Sequence, residues 1–81
     1  MRIVLNSFQQ SVAQTMDLKE LGQKIKQRRL FLKMTQPDLS ELSSVGLRNL
    51  KELESGRGNP TLETLTKILE VLGLKIDLTI R

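Results

Sequence analysis

Two short amphipathic segments, separated by only three residues, constrain the fold of this sequence more than any other feature. Thr35 is a typical helix N-cap and Asp38, three residues later, completes an acidic version of the capping box, so a helix is predicted over Gln36–Ser43. A second helix is predicted over Leu47–Glu54. Because the connector is so short, the two helices must pack against each other at a fixed angle.

Longer helices are predicted on both sides of this pair. Asp17 is a good N-cap for a helix that runs to about Leu32, and Thr61 caps another that ends at Gly73, a residue suited to the C′ position. Apolar side chains at helical spacing are expected to face inward: Leu18, Leu21, Ile25, Leu32, Leu39, Leu42, Leu50, Leu53, Leu62, Leu65, Ile68, Leu69 and Leu72. The sequence therefore predicts a mainly α-helical bundle of about four helices.

The last eight residues, 74–81, change to a period of two, which is typical of a strand. The apolar members of the alternation are Leu74, Ile76, Leu78 and Ile80. A single strand cannot satisfy its own backbone groups, so we expect 74–81 to be a dimerisation strand that pairs with the same strand of a second copy. Pairing with Arg2–Leu5 of the same chain is the alternative, and a four-stranded sheet would accommodate both.

Residues 1–16 are interpreted as an N-terminal arm. Ile3, Val4 and Leu5 are compatible with a short strand, whereas the following residues to Thr15 are mostly polar and have no clear period. The arm is therefore an additional strand, a disordered tail, or sequence upstream of a start at Met16, and the sequence does not distinguish among these alternatives.

Composition excludes most kinds of catalytic site. The chain has no Cys and no His among its 81 residues, which removes thiolate nucleophiles, His general bases, Ser-His-Asp triads and most zinc sites. Its nine Asp and Glu residues are spread along the chain without an obvious pair. We therefore predict no enzyme, no cofactor and no metal.

No apolar run approaches the roughly 20 residues that cross a bilayer, and the N-terminus lacks the apolar region of a signal peptide. A chain without Cys also has no disulfide dependence, which suits a reducing compartment. These observations predict a cytoplasmic protein that does not associate with a membrane.

Positive charge is concentrated in the first half of the chain. Lys and Arg number 13 against nine acids, for a formal net charge of +4. Between Lys19 and Lys33 there are six basic residues and one acid, Glu20, whereas residues 61–81 carry three of each sign. The asymmetry predicts a surface that faces a polyanion, although an ordinary solvated helix face would carry the same charges.

Two short helices joined by a tight turn form the helix-turn-helix motif, in which the second helix presents side chains to base edges in the major groove of DNA. The side chains available for this are Leu47, Arg48, Asn49, Lys51 and Glu52. Arg48 and Lys51 suit guanine, and Asn49 suits adenine. Contacts chiefly to phosphate are predicted for Gln36, Arg57 and Asn59.

The run from Thr35 to Leu74 resembles the Xre/Cro-type helix-turn-helix family. The positions that carry the resemblance are Thr35, Gln36, Leu39, Val45, Leu50, Glu54, Gly56 and Pro60. The segment VGLRNLKELESG and the terminal strand KIDLTI are most similar to HipB-like antitoxins. The whole resemblance covers roughly residues 17–80.

The resemblance implies a λ-repressor-like helical bundle that binds palindromic operators as a homodimer, with 17–73 as the DNA-binding domain. It implies base or backbone contacts from Gln36 and from the open face of the second helix, and a partly buried ion pair between Arg29 and Glu54. It also implies a toxin–antitoxin pair that regulates its own operon, with a HipA-like kinase as the partner.

Three positions depart from the family pattern. Ser44 stands in place of the usual turn Gly, Gly46 in place of the Ser or Thr that caps the reading helix, and Lys33 in place of a frequent Gly. A positive φ at Ser44 would strain a residue that has a β-carbon.

Other functions stay open on the sequence alone. A solitary phage-like or housekeeping Xre-type regulator would need no toxin, and a protein-interaction module would use the same bundle without DNA. The basic first helix and the pair Arg48 and Lys51 argue against the module. RNA binding is disfavoured because the chain has only two aromatic residues, Phe8 and Phe31, for base stacking.

Overall fold

Four helices and three short strands make up the described part of the chain, residues 2–7, 14–15 and 17–79 of a computed structural model. In chain order they are β1 (Arg2–Ser7), β2 (Gln14–Thr15), α1 (Leu18–Phe31), α2 (Gln36–Ser43), α3 (Leu47–Glu54), α4 (Leu62–Leu72) and β3 (Leu74–Thr79). The predicted architecture, a mainly helical bundle followed by a C-terminal strand, is confirmed. Met16 and Ile80, which figured in the expectations for the two ends, lie outside the described residues.

Side-chain caps determine where the helices begin. Asp17 and Thr61 each accept a hydrogen bond from the amide three residues later, at 2.9 and 3.1 Å. At α2 the capping box is complete, since Thr35 Oγ1 accepts from the Asp38 amide at 3.1 Å and the Asp38 carboxylate accepts from the Thr35 amide at 2.9 Å. The bond from the Thr35 amide holds the pKa of Asp38 below its ordinary value. Helix α3 has no side-chain cap, because Gly46 precedes it.

Both turns that flank α2 use a non-glycine residue in the left-handed region. The φ angles are 59° at Lys33 and 60° at Ser44, a conformation that costs a residue with a β-carbon about 1 kcal/mol. Hydroxyl groups hold the second turn in place: Ser40 Oγ donates to the Val45 carbonyl at 2.5 Å, and Ser43 Oγ accepts from the Val45 amide at 3.3 Å. The strain expected at Ser44 is therefore present, and local hydrogen bonds offset it.

All four helices contribute to one hydrophobic core. Its buried apolar members in the described residues are Leu21, Ile25, Leu39, Val45, Leu50, Leu53, Leu65, Ile68, Leu69 and Leu72. Leu74 and Ile76 of β3 are half-buried and pack against this cluster, as the alternation in the sequence predicts. At these two positions the strand therefore covers the helices.

Three leucines that the helical spacing places inside are exposed, so the prediction is wrong for them. Leu32, Leu42 and Leu62 have exposed fractions of 38, 64 and 61%. The buried stripe of α2 runs from Leu39 to Ser43, one turn apart, and turns Leu42 toward solvent. Leu32 follows the last residue of α1 and Leu62 is the first of α4, so both lie beyond the packed turns.

The strands form an antiparallel sheet in the order β2-β1-β3. Strand β1 pairs with β3 along its whole length, from Arg2 opposite Thr79 to Ser7 opposite Leu74. The arm thus contains strands at 2–7 and 14–15, one of the alternatives that the sequence left open.

Strand β3 pairs with β1 of the same chain, the alternative given in the sequence analysis, and pairing with a second copy stays a prediction. An N-terminal strand of equal length lies antiparallel to it and satisfies one edge, including the backbone pair Ile3 and Leu78. In the described sheet β3 remains an edge strand, so its other edge faces no strand of the residues that the structure describes.

Gly22 lets α1 and α3 approach closely. A β-carbon at this position would overlap the backbone carbonyl oxygen of Leu53 and lie 3.2 Å from that of Glu54. Backbone oxygens cannot move aside unless α3 moves with them. The separation of the two helices therefore depends on a glycine in the middle of α1, a role that no local pattern in the sequence indicates.

The variant Gly22→Ala is expected to destabilise the fold even though alanine is the better helix former. The exchange gains about 1 kcal/mol in helix propensity, but the overlap with α3 should outweigh it and leave a net loss of about 2 kcal/mol. Urea denaturation measures the free energy of unfolding. Gly46→Ala is the control, since the nearest atom to a β-carbon there is Asn49 Nδ2 at 3.9 Å, and its effect should stay below about 1 kcal/mol. A Gly22→Ala chain as stable as the wild type would show that the helices separate without cost.

Candidate nucleic-acid interface

A buried ion pair joins the end of α1 to the end of α3. Arg29 Nε donates to Glu54 Oε2 at 2.7 Å, and Arg29 Nη2 donates to Glu54 Oε1 at 2.9 Å. The two side chains are only 7 and 3% exposed. The hydrogen bond to Glu54, with the carboxylate charge, raises the pKa of Arg29 above its ordinary value despite burial. The ion pair that the resemblance implied is present, with bidentate geometry.

The same ion pair holds the start of α2. Arg29 Nη1 donates to the carbonyl of Met34 at 2.8 Å, and Gln36 Nε2 donates to Glu54 Oε1 at 3.2 Å. Gln36, predicted to contact DNA, is half-buried and already uses one amide hydrogen inside the protein. Its second amide hydrogen and its carbonyl oxygen are the groups that remain for a phosphate or a base.

Helix α3 has one face in the core and one face open. Its buried members are Leu50, Leu53 and Glu54. Its exposed or half-buried members are the five predicted base-reading residues, Leu47, Arg48, Asn49, Lys51 and Glu52. The Arg48 side chain is 91% exposed, and its Nε lies 3.6 Å from Glu52 Oε1. The side chains on which the nucleic-acid hypothesis depends are therefore outside the core.

A shallow groove of about 180 Å³ lies between α3 and the start of α4. We call it the loop groove, and its lining consists of Asn49, Glu52, Arg57, Gly58, Asn59, Pro60, Thr61 and Thr64. It brings together two predicted base-reading residues and both predicted loop residues. Arg57 and Asn59 are exposed, and the Arg57 amide donates to the Glu52 carbonyl at 2.8 Å, which ties the loop to α3.

Neither threonine of the loop groove was predicted as a site residue, since Thr61 was expected only as a helix cap and Thr64 was not named. Thr61 is the N-cap of α4, and its hydroxyl also bonds to the hydroxyl of Thr64 at 3.0 Å. The signal that would have placed Thr61 near the site is its position directly after the loop that carries Arg57 and Asn59. Helical spacing then adds Thr64, three residues later, to the same face.

Two of the basic residues of α1 do not form an outward-facing charge, which corrects the simple count of positive residues. Arg29 is buried in the ion pair. Arg28 Nε donates to the carbonyl of Leu72 at 2.9 Å, and its guanidinium lies 5.2 Å from the centroid of the Phe31 ring. A cation at the carbonyl end of α4 is favoured by the helix dipole. The other basic residues of α1 are Lys19 and Lys26, which are exposed, and Lys24, which is half-buried like Arg28.

Within residues 17–79, the described helices include none with the length and apolar content of a membrane span. The Asp and Glu side chains of the same part of the chain do not gather in a group of three that would hold a metal ion.

A family model described as helix-turn-helix matches residues 25–78, from the middle of α1 into β3. The chain belongs to the helix-turn-helix family. This helix-turn-helix chain is 31% identical over 58 residues to the cryptic phage CTXphi transcriptional repressor RstR of Vibrio cholerae. The alignment covers 72% of this chain and 52% of RstR, so the chain spans about half the length of that relative.

Two solved structures share the helix-turn-helix fold. The restriction-modification controller protein C.AhdI from Aeromonas hydrophila superimposes with a TM-score of 0.65 at 25% identity, over 68% of this chain and 83% of its own. The clp gene regulator ClgR from C. glutamicum superimposes with a TM-score of 0.64 at 33% identity, over 68% of this chain and 70% of its own. The architecture is thus that of known helix-turn-helix regulators.

Replacing Arg29 alone should lower the free energy of unfolding much more than replacing both members of the ion pair. Arg29→Met leaves the Glu54 carboxylate buried without its partner, and we expect a loss of about 3–5 kcal/mol in the free energy of unfolding. The double variant Arg29→Met with Glu54→Leu removes both charges and should recover most of that loss. Urea denaturation of both variants tests this expectation.

The exposed pair Lys67 and Glu63, 3.4 Å apart, provides the control. Lys67→Met should change the stability by less than about 1 kcal/mol. A double variant as unstable as Arg29→Met would mean that the pair contributes net stability rather than mainly fixing the helix orientation.

Proposed function

We propose that this chain is a transcriptional repressor that binds a specific sequence of double-stranded DNA as a homodimer on an inverted-repeat operator. The observation that carries the proposal is the open face of α3, where Arg48 is 91% exposed and Asn49 and Lys51 are exposed beside it. The buried pair Arg29 and Glu54 holds this helix in place. The similarity to a phage transcriptional repressor supports repression as the outcome of binding.

A rigid helix with an exposed guanidinium near its N-terminus fits the major groove, because arginine reads the O6 and N7 acceptors of guanine with two hydrogen bonds. Two such helices related by a two-fold axis would lie one turn of DNA apart, about 34 Å. Binding should weaken steeply with salt, because every neutralised phosphate releases counterions.

Replacing Arg48 is expected to cost affinity and to relax one position of the site. A duplex enriched from a random library by the wild-type chain supplies the operator. On that duplex Arg48→Ala should lose about 1–3 kcal/mol of binding free energy, and a repeated selection should show one position with less base preference. Fluorescence anisotropy with labelled duplexes measures the affinity.

Lys67→Ala is the control for this experiment, because it removes one exposed positive charge from α4 rather than from α3. It should leave the base preference unchanged. An equal loss for Arg48→Ala on the enriched duplex and on random duplex would assign Arg48 to phosphate instead of base contact. A wild-type chain that enriches no sequence would overturn the proposal and favour a protein-interaction module.

The dimer is proposed to form at a second groove, of about 350 Å³, between α4 and β3. We call it the strand groove, and its lining consists of Leu62, Thr66, Leu69, Glu70, Leu74, Lys75 and Ile76. It adjoins the edge of the sheet that has no strand partner in the described chain. A two-fold interface sets one patch against itself, and this patch offers both an acid, Glu70, and a base, Lys75.

The variant Leu62→Glu is expected to shift the chain to a monomer, because it places a carboxylate on the apolar side of the strand groove. Leu62 is 61% exposed in the single chain, and an acid suits the first turn of a helix, so the fold should be retained. Sedimentation equilibrium measures the mass. Deletion of 74–81 is a poorer test, since it would also remove Leu74 and Ile76, which pack against the core.

Leu42→Glu is the matched control, because Leu42 is equally exposed, at 64%, but lies on α2 outside the strand groove. It should remain dimeric. If Leu62→Glu and Leu42→Glu both had the sedimentation mass of the wild-type dimer, the strand groove would be excluded as the interface.

Two more specific roles are proposed for this repressor: an antitoxin and a solitary regulator. The similarity of VGLRNLKELESG and KIDLTI to HipB-like antitoxins favours a chain that binds a HipA-like kinase. The similarity to a phage repressor favours a regulator that acts without a toxin. Both roles use the same reading helix, and the neighbouring gene distinguishes them, since an antitoxin is expected to be encoded beside a kinase-like protein.

A further inference from the structure

Glu52 is an acid on a surface that is proposed to face a polyanion. Of the two acids of α3, Glu54 is buried in the ion pair and Glu52 has a side chain that is 43% exposed. Its Oε1 lies 3.6 Å from Arg48 Nε, four residues earlier on the same helix. Arg48, a candidate for base reading whose side chain is 91% exposed, is therefore already next to a carboxylate.

The loop after α3 holds Glu52 on its other side. The Glu52 carbonyl accepts hydrogen bonds from the Arg57 amide at 2.8 Å and from Ser55 Oγ at 2.7 Å. Gly58, with φ of 82°, packs against the carboxylate, and a β-carbon there would lie 3.1 Å from Glu52 Oε2. The backbone of Glu52 is thus tied to the loop, and its carboxylate lies between Arg48 and Gly58 at the loop groove.

This placement has an electrostatic consequence for any duplex. A carboxylate at the interface repels phosphates, and an arginine paired with it is less available to contact them. An exposed pair at i,i+4 is weak, so a stronger partner displaces it. Guanine is such a partner, because arginine contacts it with two hydrogen bonds. A single phosphate is a weaker partner, because the carboxylate also repels it.

We propose that Glu52 is a specificity-determining residue, which suppresses binding to non-cognate DNA by repelling phosphates and by holding Arg48 until a matching base edge replaces the carboxylate. The inference rests on the proposed function and adds to it a residue that lowers affinity for the wrong sequence. Discrimination between sequences is a difference of affinities, and repulsive groups contribute to it as directly as attractive ones.

The test compares Glu52→Gln with the wild-type full chain on two duplexes, one enriched from a random library and one of random sequence, over a series of salt concentrations. The glutamine keeps the size of the side chain and removes the charge. Affinity for the random duplex should rise by roughly threefold to tenfold. The salt dependence on that duplex should steepen by about 0.9 in the log–log slope, which corresponds to one additional phosphate contact by Arg48. Affinity for the enriched duplex should rise less, so the specificity ratio falls.

Two further variants separate this mechanism from a general change of charge. Glu63→Gln removes the same charge from the other exposed i,i+4 pair and should change the random-duplex affinity by less than Glu52→Gln does. In the double variant Arg48→Ala with Glu52→Gln, the increase in slope should disappear, because the freed arginine is absent.

A Glu52→Gln chain with the same random-duplex affinity and salt slope as the wild type overturns the proposal. An increase in random-duplex affinity no larger than that of Glu63→Gln also overturns it, and so does an equal increase in affinity for both duplexes. A wild-type chain that enriches no sequence overturns the proposed function itself and this inference with it. The two failures are therefore distinguishable.

Discussion

The buried ion pair between Arg29 and Glu54 is the interaction on which the arrangement of α1, α2 and the open face of α3 depends. Its guanidinium reaches the carboxylate at the end of α3 and the carbonyl of Met34 before α2, while Gln36 of α2 bonds to the same carboxylate. Three helices therefore meet at two charged groups. Taking two charges out of water is costly, and their attraction does little more than offset this cost. We interpret the pair as a device that fixes orientation, because hydrogen bonds with defined directions discriminate between helix angles in a way that leucine contacts do not.

Close packing of α3 against α1 complements this directional constraint. Gly22 allows the backbone of α3 to approach α1, and Leu50 and Leu53 fill the core beside it. Helix α3 has eight residues, little more than two turns, and its buried members Leu50, Leu53 and Glu54 leave the remaining five exposed or half-buried. The open face is thus a consequence of the packing. Its composition, with Arg48 and Lys51 rather than small neutral residues, is what favours a nucleic-acid partner.

Helix boundaries could be predicted from the sequence because local capping chemistry decides them, as at Thr35 with Asp38 and at Gly73. The ion pair was accessible only through a family resemblance, since 25 residues separate Arg29 from Glu54. The sequence offered Arg2–Leu5 as one of two partners for β3 but did not choose between them, because strand pairing depends on where the arm returns in space and not on the alternation in the strand itself. The exposure of Leu42 and the inward bond of Arg28 to α4 also depend on helix packing, which periodicity alone does not define.

Helix α4 links the two surfaces on which the proposed function depends. Thr61 and Thr64, one turn apart, line the loop groove next to α3, whereas Leu62, Thr66 and Leu69 follow a separate stripe that lines the strand groove. Its third face, which includes Ile68 and Leu72, is in the core. Helix α4 therefore contributes to the loop groove, to the core and to the strand groove, which is the proposed dimer interface. In a two-fold dimer formed at the strand groove, the distance between the two reading helices would be set by the width of this helix and its packing, with no flexible linker between them. Such a geometry suits an operator whose half-sites must be one turn of DNA apart, because a flexible connection would lose affinity to conformational entropy.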